Sequence, residues 1–128
     1  MSNRQTINTD KAPKAIGTYS QAVKAGTTVY ISGQIPLVAD TMELLTGSFK
    51  DKTRLCFENL RAIAEAAGGS LDDAAKVTIF LTDMANFAEV NEVMAEFFKQ
   101  PYPARAAVGV KELPKGVPVE IEAILELK

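Results

Sequence analysis

From Val119 to Glu126 apolar and acidic side chains alternate: Val119, Ile121, Ala123 and Leu125 form one row, and Glu120, Glu122 and Glu126 lie opposite, around Ile124. Period-two alternation of this kind marks a strand with one face in a core and one turned outward. A slip of one residue would expose the whole apolar row, so the segment specifies its register as well as its type. The stretch before it, Pro103-Ala-Arg-Ala-Ala-Val-Gly-Val110, reads as a second strand, with Ala104, Ala106, Val108 and Val110 on the core face and Arg105, Ala107 and Gly109 on the other. Leu113-Pro-Lys-Gly116 joins the two strands as a tight turn. On this reading Arg105 and Glu120 emerge on the face away from the main apolar row, which makes them the first candidates for chemistry.

Upstream, residues 19–33 read as a hairpin turning at Ala25-Gly26-Thr27, with Gly33-Gln34-Ile35-Pro36 ending it. The spacing of Leu55, Cys56, Leu60, Ile63, Ala64 and Ala67 predicts a helix from Asp51 to Ala67, stopped by Gly68-Gly69, with Cys56 in its apolar stripe. Ala75 to Thr82 is a strand with Val77, Ile79 and Leu81 inward. Asn86-Phe-Ala-Glu89 is a capping-box variant opening a second helix, in which Phe87, Val90, Val93, Met94, Phe97 and Phe98 recur at helical spacing before Pro101. The order is β-β-α-β-α-β-β, with a further short strand near Gln5 to Asn8. It predicts one α+β domain over residues 1–128, a mostly antiparallel sheet with two helices on a single face. The uncovered face then carries Tyr30, Phe80, Ala107 and Ile124 among Thr78, Arg105 and Glu120. Apolar surface of that kind predicts a homo-oligomer packed through sheet faces.

Composition narrows the function. Formal net charge is −2 and the pI is near 5.2, which leaves no electrostatic footprint for nucleic acid or an anionic membrane. No apolar run approaches the ~20 residues that cross a bilayer, and the first residues lack the apolar core of a secretory signal. Together with a single cysteine, this predicts a cytoplasmic protein. There is no histidine, so the commonest general base and zinc ligand is missing. Catalysis here must run on carboxylates, hydroxyls, arginine, backbone groups and water.

Six segments in order, Gly17-Thr-Tyr-Ser-Gln-Ala22, Ile31-Ser-Gly-Gln-Ile-Pro36, Asn59-Leu-Arg-Ala-Ile-Ala-Glu-Ala-Ala-Gly68, Phe87-Ala-Glu-Val-Asn91, Pro103-Ala-Arg105 and Val119-Glu-Ile-Glu-Ala123, resemble the RidA (YjgF) family in register over nearly the whole chain. The resemblance implies a chorismate mutase-like fold and a homotrimer with ligand clefts between subunits. It implies deamination of reactive 2-enamino and 2-imino acids, such as 2-aminoacrylate and 2-aminocrotonate, to 2-keto acids and ammonia, with no cofactor. Arg105 matches the arginine that grips the substrate carboxylate, and Glu120 the glutamate associated with the attacking water. Tyr19, Ser32, Gly33 and Asn91 match further cleft positions. Two positions depart from the pattern: Ala107 stands where cysteine is frequent, and Thr18 where proline is frequent.

The chemistry of these side chains suits the implied roles. A guanidinium offers a rigid fork of donors to a planar carboxylate. A carboxylate beside water can take its proton as the water attacks an iminium carbon, without a metal. The alternative reading is a binding protein that holds 2-keto acids or similar carboxylates without turnover. It keeps Arg105 but tolerates loss of Glu120.

Overall fold

The computed structural model describes residues 4–128. Strands β1 (Arg4–Ile7), β2 (Ala22–Ala25), β3 (Thr28–Gln34), β4 (Ala74–Leu81), β5 (Ala104–Gly109) and β6 (Val119–Glu126) form one sheet, accompanied by helices α1 (Phe49–Ala66) and α2 (Phe87–Phe97). The sheet order is β1-β2-β3-β6-β4-β5. Every pairing is antiparallel except β4 with β5.

The strongly alternating strand β6 lies between β3 and β4, where ladders on both sides hold its phase. Val119, Ile121, Ala123 and Leu125 are buried, and Glu120, Glu122 and Ile124 are partly exposed on the other face. Both helices cover the buried row. From α1 come Phe57, Leu60 and Ile63, and from α2 Val90, Val93 and Met94. Phe57 stacks on Phe97 at 5.3 Å between centroids and meets Phe98 edge-on at 5.8 Å, joining the two helices. Cys56 is in this core, where burial pushes its thiol pKa up and leaves it unreactive. On the outer faces Arg54 bridges to Glu96 at 2.8 Å and Lys50 to Glu92 at 2.6 Å, exposed pairs that add little to stability.

Helix α1 starts two residues before the expected Asp51, because Ser48 accepts a hydrogen bond from the Asp51 amide at 3.1 Å and so caps it. It stops as expected, with Gly68 at φ +93. The expected capping box at Asn86 does not form. A 3-10 turn over Met84–Asn86 runs directly into α2, so Asn86 has helical backbone angles rather than the extended ones a cap needs. Asp83 takes over, accepting from the Ala85 amide at 2.9 Å.

Two expectations about β5 are overturned. It is not the hairpin partner of β6: it lies at the sheet edge, parallel to β4, with α2 as the crossover that parallel pairing requires. The segment from Val110 to Pro118 bends around the end of β4, where the Val110 amide donates to the Leu81 carbonyl and the Thr82 amide to the Pro118 carbonyl. The faces are also inverted. Val77 pairs with Arg105 and Ile79 with Ala107, so Arg105 and Ala107 lie on the helix side, and Ala106 and Val108 on the open side. Small residues on both faces of β5 leave the alternation with no preferred phase. The uncovered face therefore carries Tyr30, Phe80, Val108 and Ile124 with Thr78, Glu120 and Glu122, but neither Ala107 nor Arg105.

Candidate active site

Two residues of β3 depart from its regular ladder. Ile31 pairs with Ala123 and Gln34 with Ile121, three steps on one strand against two on the other, so Ser32-Gly33 forms a β-bulge inside β3, which ends at Gln34. The bulge turns Ser32 and Gly33 toward the rim of a cleft of about 400 Å³, which Tyr19 and Glu120 also line. Hydrogen bonds hold it in place: the Ser32 amide donates to the Gln21 carbonyl at 2.9 Å, and the Ser32 hydroxyl to the Ser20 carbonyl at 2.6 Å.

The adjoining wall is fastened by Gln21, only 2% exposed. Its Nε2 donates to the carbonyls of Pro13 at 2.8 Å and Thr9 at 3.0 Å, and its Oε1 accepts from the Thr9 amide at 2.7 Å. This buried amide pins residues 9–13 against the start of β2 and sets the path of the segment that carries Lys14, Ile16 and Tyr19 into the cleft. Tyr19 is half exposed, and its hydroxyl accepts a long hydrogen bond from the Ile16 amide at 3.4 Å.

Glu120 reaches across from β6 and lies on the Gly33 backbone. A Cβ at Gly33 would stand 2.6 Å from Glu120 Oε2 and 2.9 Å from its Cδ. Partial burial raises the Glu120 pKa above the ordinary carboxylate value, and the neighbouring Glu122 raises it further. A carboxylate tuned in this direction is a better proton acceptor near neutral pH than a solvated one. The close approach gives a direct prediction: Gly33→Ala displaces the Glu120 carboxylate, and a reaction that depends on the placement of that carboxylate should slow by about tenfold to a hundredfold. Because the displaced atoms are the end of a flexible side chain, the urea unfolding midpoint should hardly move. A Gly33→Ala variant that turns over as fast as the natural chain would show that this contact positions nothing.

Arg105 occupies a second cleft, of about 390 Å³, between α2 and the start of β5, with Tyr102 and Pro103 at its wall. Its Nη1 donates to Asn91 Oδ1 at 2.7 Å and lies 3.8 Å from Met94 Sδ. The guanidinium carbon sits 4.9 Å from the centre of the Phe87 ring. Among the described residues no carboxylate pairs with Arg105; its partners are an amide, a thioether and an aromatic face. The site thus presents a fixed cation with its countercharge missing, the arrangement that receives an anionic ligand.

The six sequence candidates therefore separate into two groups. Tyr19, Ser32, Gly33 and Glu120 line the first cleft, Asn91 and Arg105 the second, and the two clefts share no lining residue. Glu120 faces the open side of the sheet and Arg105 the helix side, with β4 between their strands. The expectation that both emerge on one face of one chain is overturned by the parallel register of β5. Sequence reasoning also missed Lys14, Lys115 and Gln21 in the first cleft and Phe87 and Met94 beside Arg105. Gln21 has a signal, a polar residue inside the Gly17–Ala22 segment; Phe87 and Met94 have the helical spacing of core residues and nothing else to distinguish them. Among the described residues no cluster of His, Cys, Asp and Glu is placed to hold a metal ion.

The family model described as Endoribonuclease L-PSP matches residues 9–127. The chain belongs to this family, that of RidA and YjgF. A relative named 2-iminobutanoate/2-iminopropanoate deaminase, from Dermatophagoides farinae, is 47% identical over 128 residues and all of both chains. The crystal structure of RidA from an Antarctic Psychrobacter superposes with a TM-score of 0.93 at 59% identity, covering 96% of this chain and 99% of that one. Escherichia coli TdcF, solved with bound serine, matches with a TM-score of 0.91 at 45% identity, covering 97% and 99%. The six-stranded sheet with two helices is thus the RidA fold, chorismate mutase-like as the sequence resemblance implies.

Proposed function

We propose that this RidA family member hydrolyses 2-enamino and 2-imino acids, such as 2-aminoacrylate and 2-aminocrotonate, in clefts that a homotrimer closes between subunits. The observation that carries the reading is the pair of separated half-sites: an arginine without a countercharge in one cleft and a raised-pKa carboxylate in another. Neither half is sufficient for the chemistry. A neighbouring copy that sets its Arg105 cleft against the Glu120 cleft makes a whole site, and the open sheet face, with Tyr30 and Val108 exposed, offers the apolar surface for that packing.

In the joined cleft the Arg105 fork takes the substrate carboxylate and fixes the plane of C2. The enamine reaches C2 electrophilicity by tautomerising to the iminium. Water held by Glu120 attacks C2 and gives its proton to the carboxylate, forming a carbinolamine. Return of that proton to nitrogen makes ammonia the leaving group; as the C–N bond breaks, the carbinol hydroxyl gives its proton back to Glu120, which passes it to the departing ammonia, leaving ammonium and the 2-keto acid. Overall one iminium acid and one water become one keto acid and one ammonium ion. Ser32 and Gly33 line the same cleft as Glu120, and because Gly33 has no side chain its backbone allows the close approach this step requires.

The relative from Dermatophagoides farinae, named for this reaction, supports the deaminase class. Serine bound in Escherichia coli TdcF favours a second reading, small-carboxylate binding without turnover. The family description also names an endoribonuclease. With no histidine and a net charge of −2, the chain offers RNA neither the usual general base nor a basic footprint. The test is keto-acid formation from 2-aminocrotonate generated in situ by a threonine dehydratase, with residual imine trapped by semicarbazide. Acceleration by the protein supports deamination; a folded oligomer that binds 2-oxobutanoate yet accelerates nothing supports the binding reading instead.

A further inference from the structure

Three residues of α2, Phe87, Asn91 and Met94, stand at helical spacing and meet the Arg105 guanidinium together. Asn91 and Met94 both engage Nη1. Among the described residues neither Nε nor Nη2 has a hydrogen-bond partner, so two donors of the fork remain for a ligand. The Asn91 and Met94 contacts both fall on one nitrogen, so by themselves they leave the guanidinium plane free to swing about Nη1. The Phe87 face removes this freedom: a ring 4.9 Å from the guanidinium carbon favours one orientation of the cation over it.

We propose that Phe87 is a positioning residue for the carboxylate clamp, its ring setting the plane of the Arg105 fork while Asn91 sets its rotation. The proposal rests on the reading of Arg105 as the carboxylate ligand. Phe87 touches no reacting atom; it acts through Arg105. It is only partly buried and packs at the edge of the core, so a ring there is not demanded by core volume alone. The start of α2 is held by Asp83 and the 3-10 turn rather than by a cap at Asn86, which places the Phe87 backbone at the first residue of the helix and aims its ring at β5.

The test compares Phe87→Leu, Phe87→Tyr and the core control Val90→Ala, each assayed for imine hydrolysis, for 2-oxobutanoate affinity by calorimetry and for urea midpoint. Phe87→Leu should raise both KM and the 2-oxobutanoate Kd about fivefold. Phe87→Tyr, which keeps a ring face, should restore both to within about twofold of the natural protein. Val90→Ala should lower the urea midpoint through lost core packing while leaving Kd unchanged. The proposal is overturned if Phe87→Leu raises Kd no more than Val90→Ala does, or if Phe87→Tyr fails to restore it. A natural protein that neither hydrolyses the imine nor binds 2-oxobutanoate overturns the clamp itself, and this proposal with it; one that does both, with Phe87→Leu unaffected, overturns the proposal alone.

Discussion

Replacing Arg105 by alanine should lower kcat/KM for 2-aminocrotonate hydrolysis by about a thousandfold, the scale expected when one partner of a hydrogen-bonded charge pair is removed from a closed site. The loss should also appear in binding, since 2-oxobutanoate depends on the same fork. Arg105→Lys keeps the charge but offers a point donor rather than two parallel N–H groups, so it should recover only part of the loss. Stability should change little. The guanidinium is exposed and its partners in the chain are uncharged, so its removal breaks no ion pair and opens no cavity in the core. Unfolding midpoints measured beside the kinetics separate this outcome from simple misfolding.

Glu120→Gln should lower kcat by about a hundredfold to ten-thousandfold, the usual contribution of a positioned general base, with 2-oxobutanoate affinity nearly retained. The pKa direction adds two tests. In the natural protein activity should fall on acidification at a pH above the ordinary carboxylate value of 4.5, because burial, then Glu122, raises the Glu120 pKa. The consequence for stability has the opposite sign to that of a salt-bridged carboxylate. A raised folded-state pKa means that the native protein binds this proton more tightly than the unfolded chain. The stability so gained is present below the unfolded value and lost as pH rises through the folded one. Glutamine stays neutral throughout. Glu120→Gln should therefore be the more heat-stable protein at neutral pH, with the advantage closing below 4.5. A variant that loses activity and also loses stability at neutral pH would contradict the burial account.

What could be read from the sequence follows from how each element is held. Strand β6 was legible in type, register and facing because it is central and its two faces differ sharply in polarity, and Glu120 accordingly lies on the side expected. Strand β5 was legible as a strand but not in its facing, since Ala104, Ala106, Ala107 and Gly109 suit either side. Its partner was equally hidden. A proline-and-glycine segment resembles a hairpin turn whether the next strand returns alongside or passes around β4, and only the tertiary register distinguishes the two. The undecided facing of β5 moved Arg105 from the open face to the helix side, away from Glu120 within one chain.

The bulge at Ser32-Gly33 was similarly illegible, because an extra residue in a ladder appears only when both strands are laid together. Phe87 and Met94 were assigned to the core by their spacing. Met94 is indeed buried, yet both also face Arg105, a second role that periodicity alone does not carry.

The central claim, a site completed between copies of the chain, has a direct test in subunit mixing. Arg105→Ala and Glu120→Gln, each nearly inactive alone, are unfolded together in equal amounts, refolded and assayed as one preparation. If every cleft takes Arg105 from one subunit and Glu120 from its neighbour, random assembly joins an intact half to an intact half in about one cleft in four. The mixture should then regain roughly a quarter of the natural activity. Mixed oligomers shown to contain both chains, yet no more active than the sum of the two variants, would contradict the account.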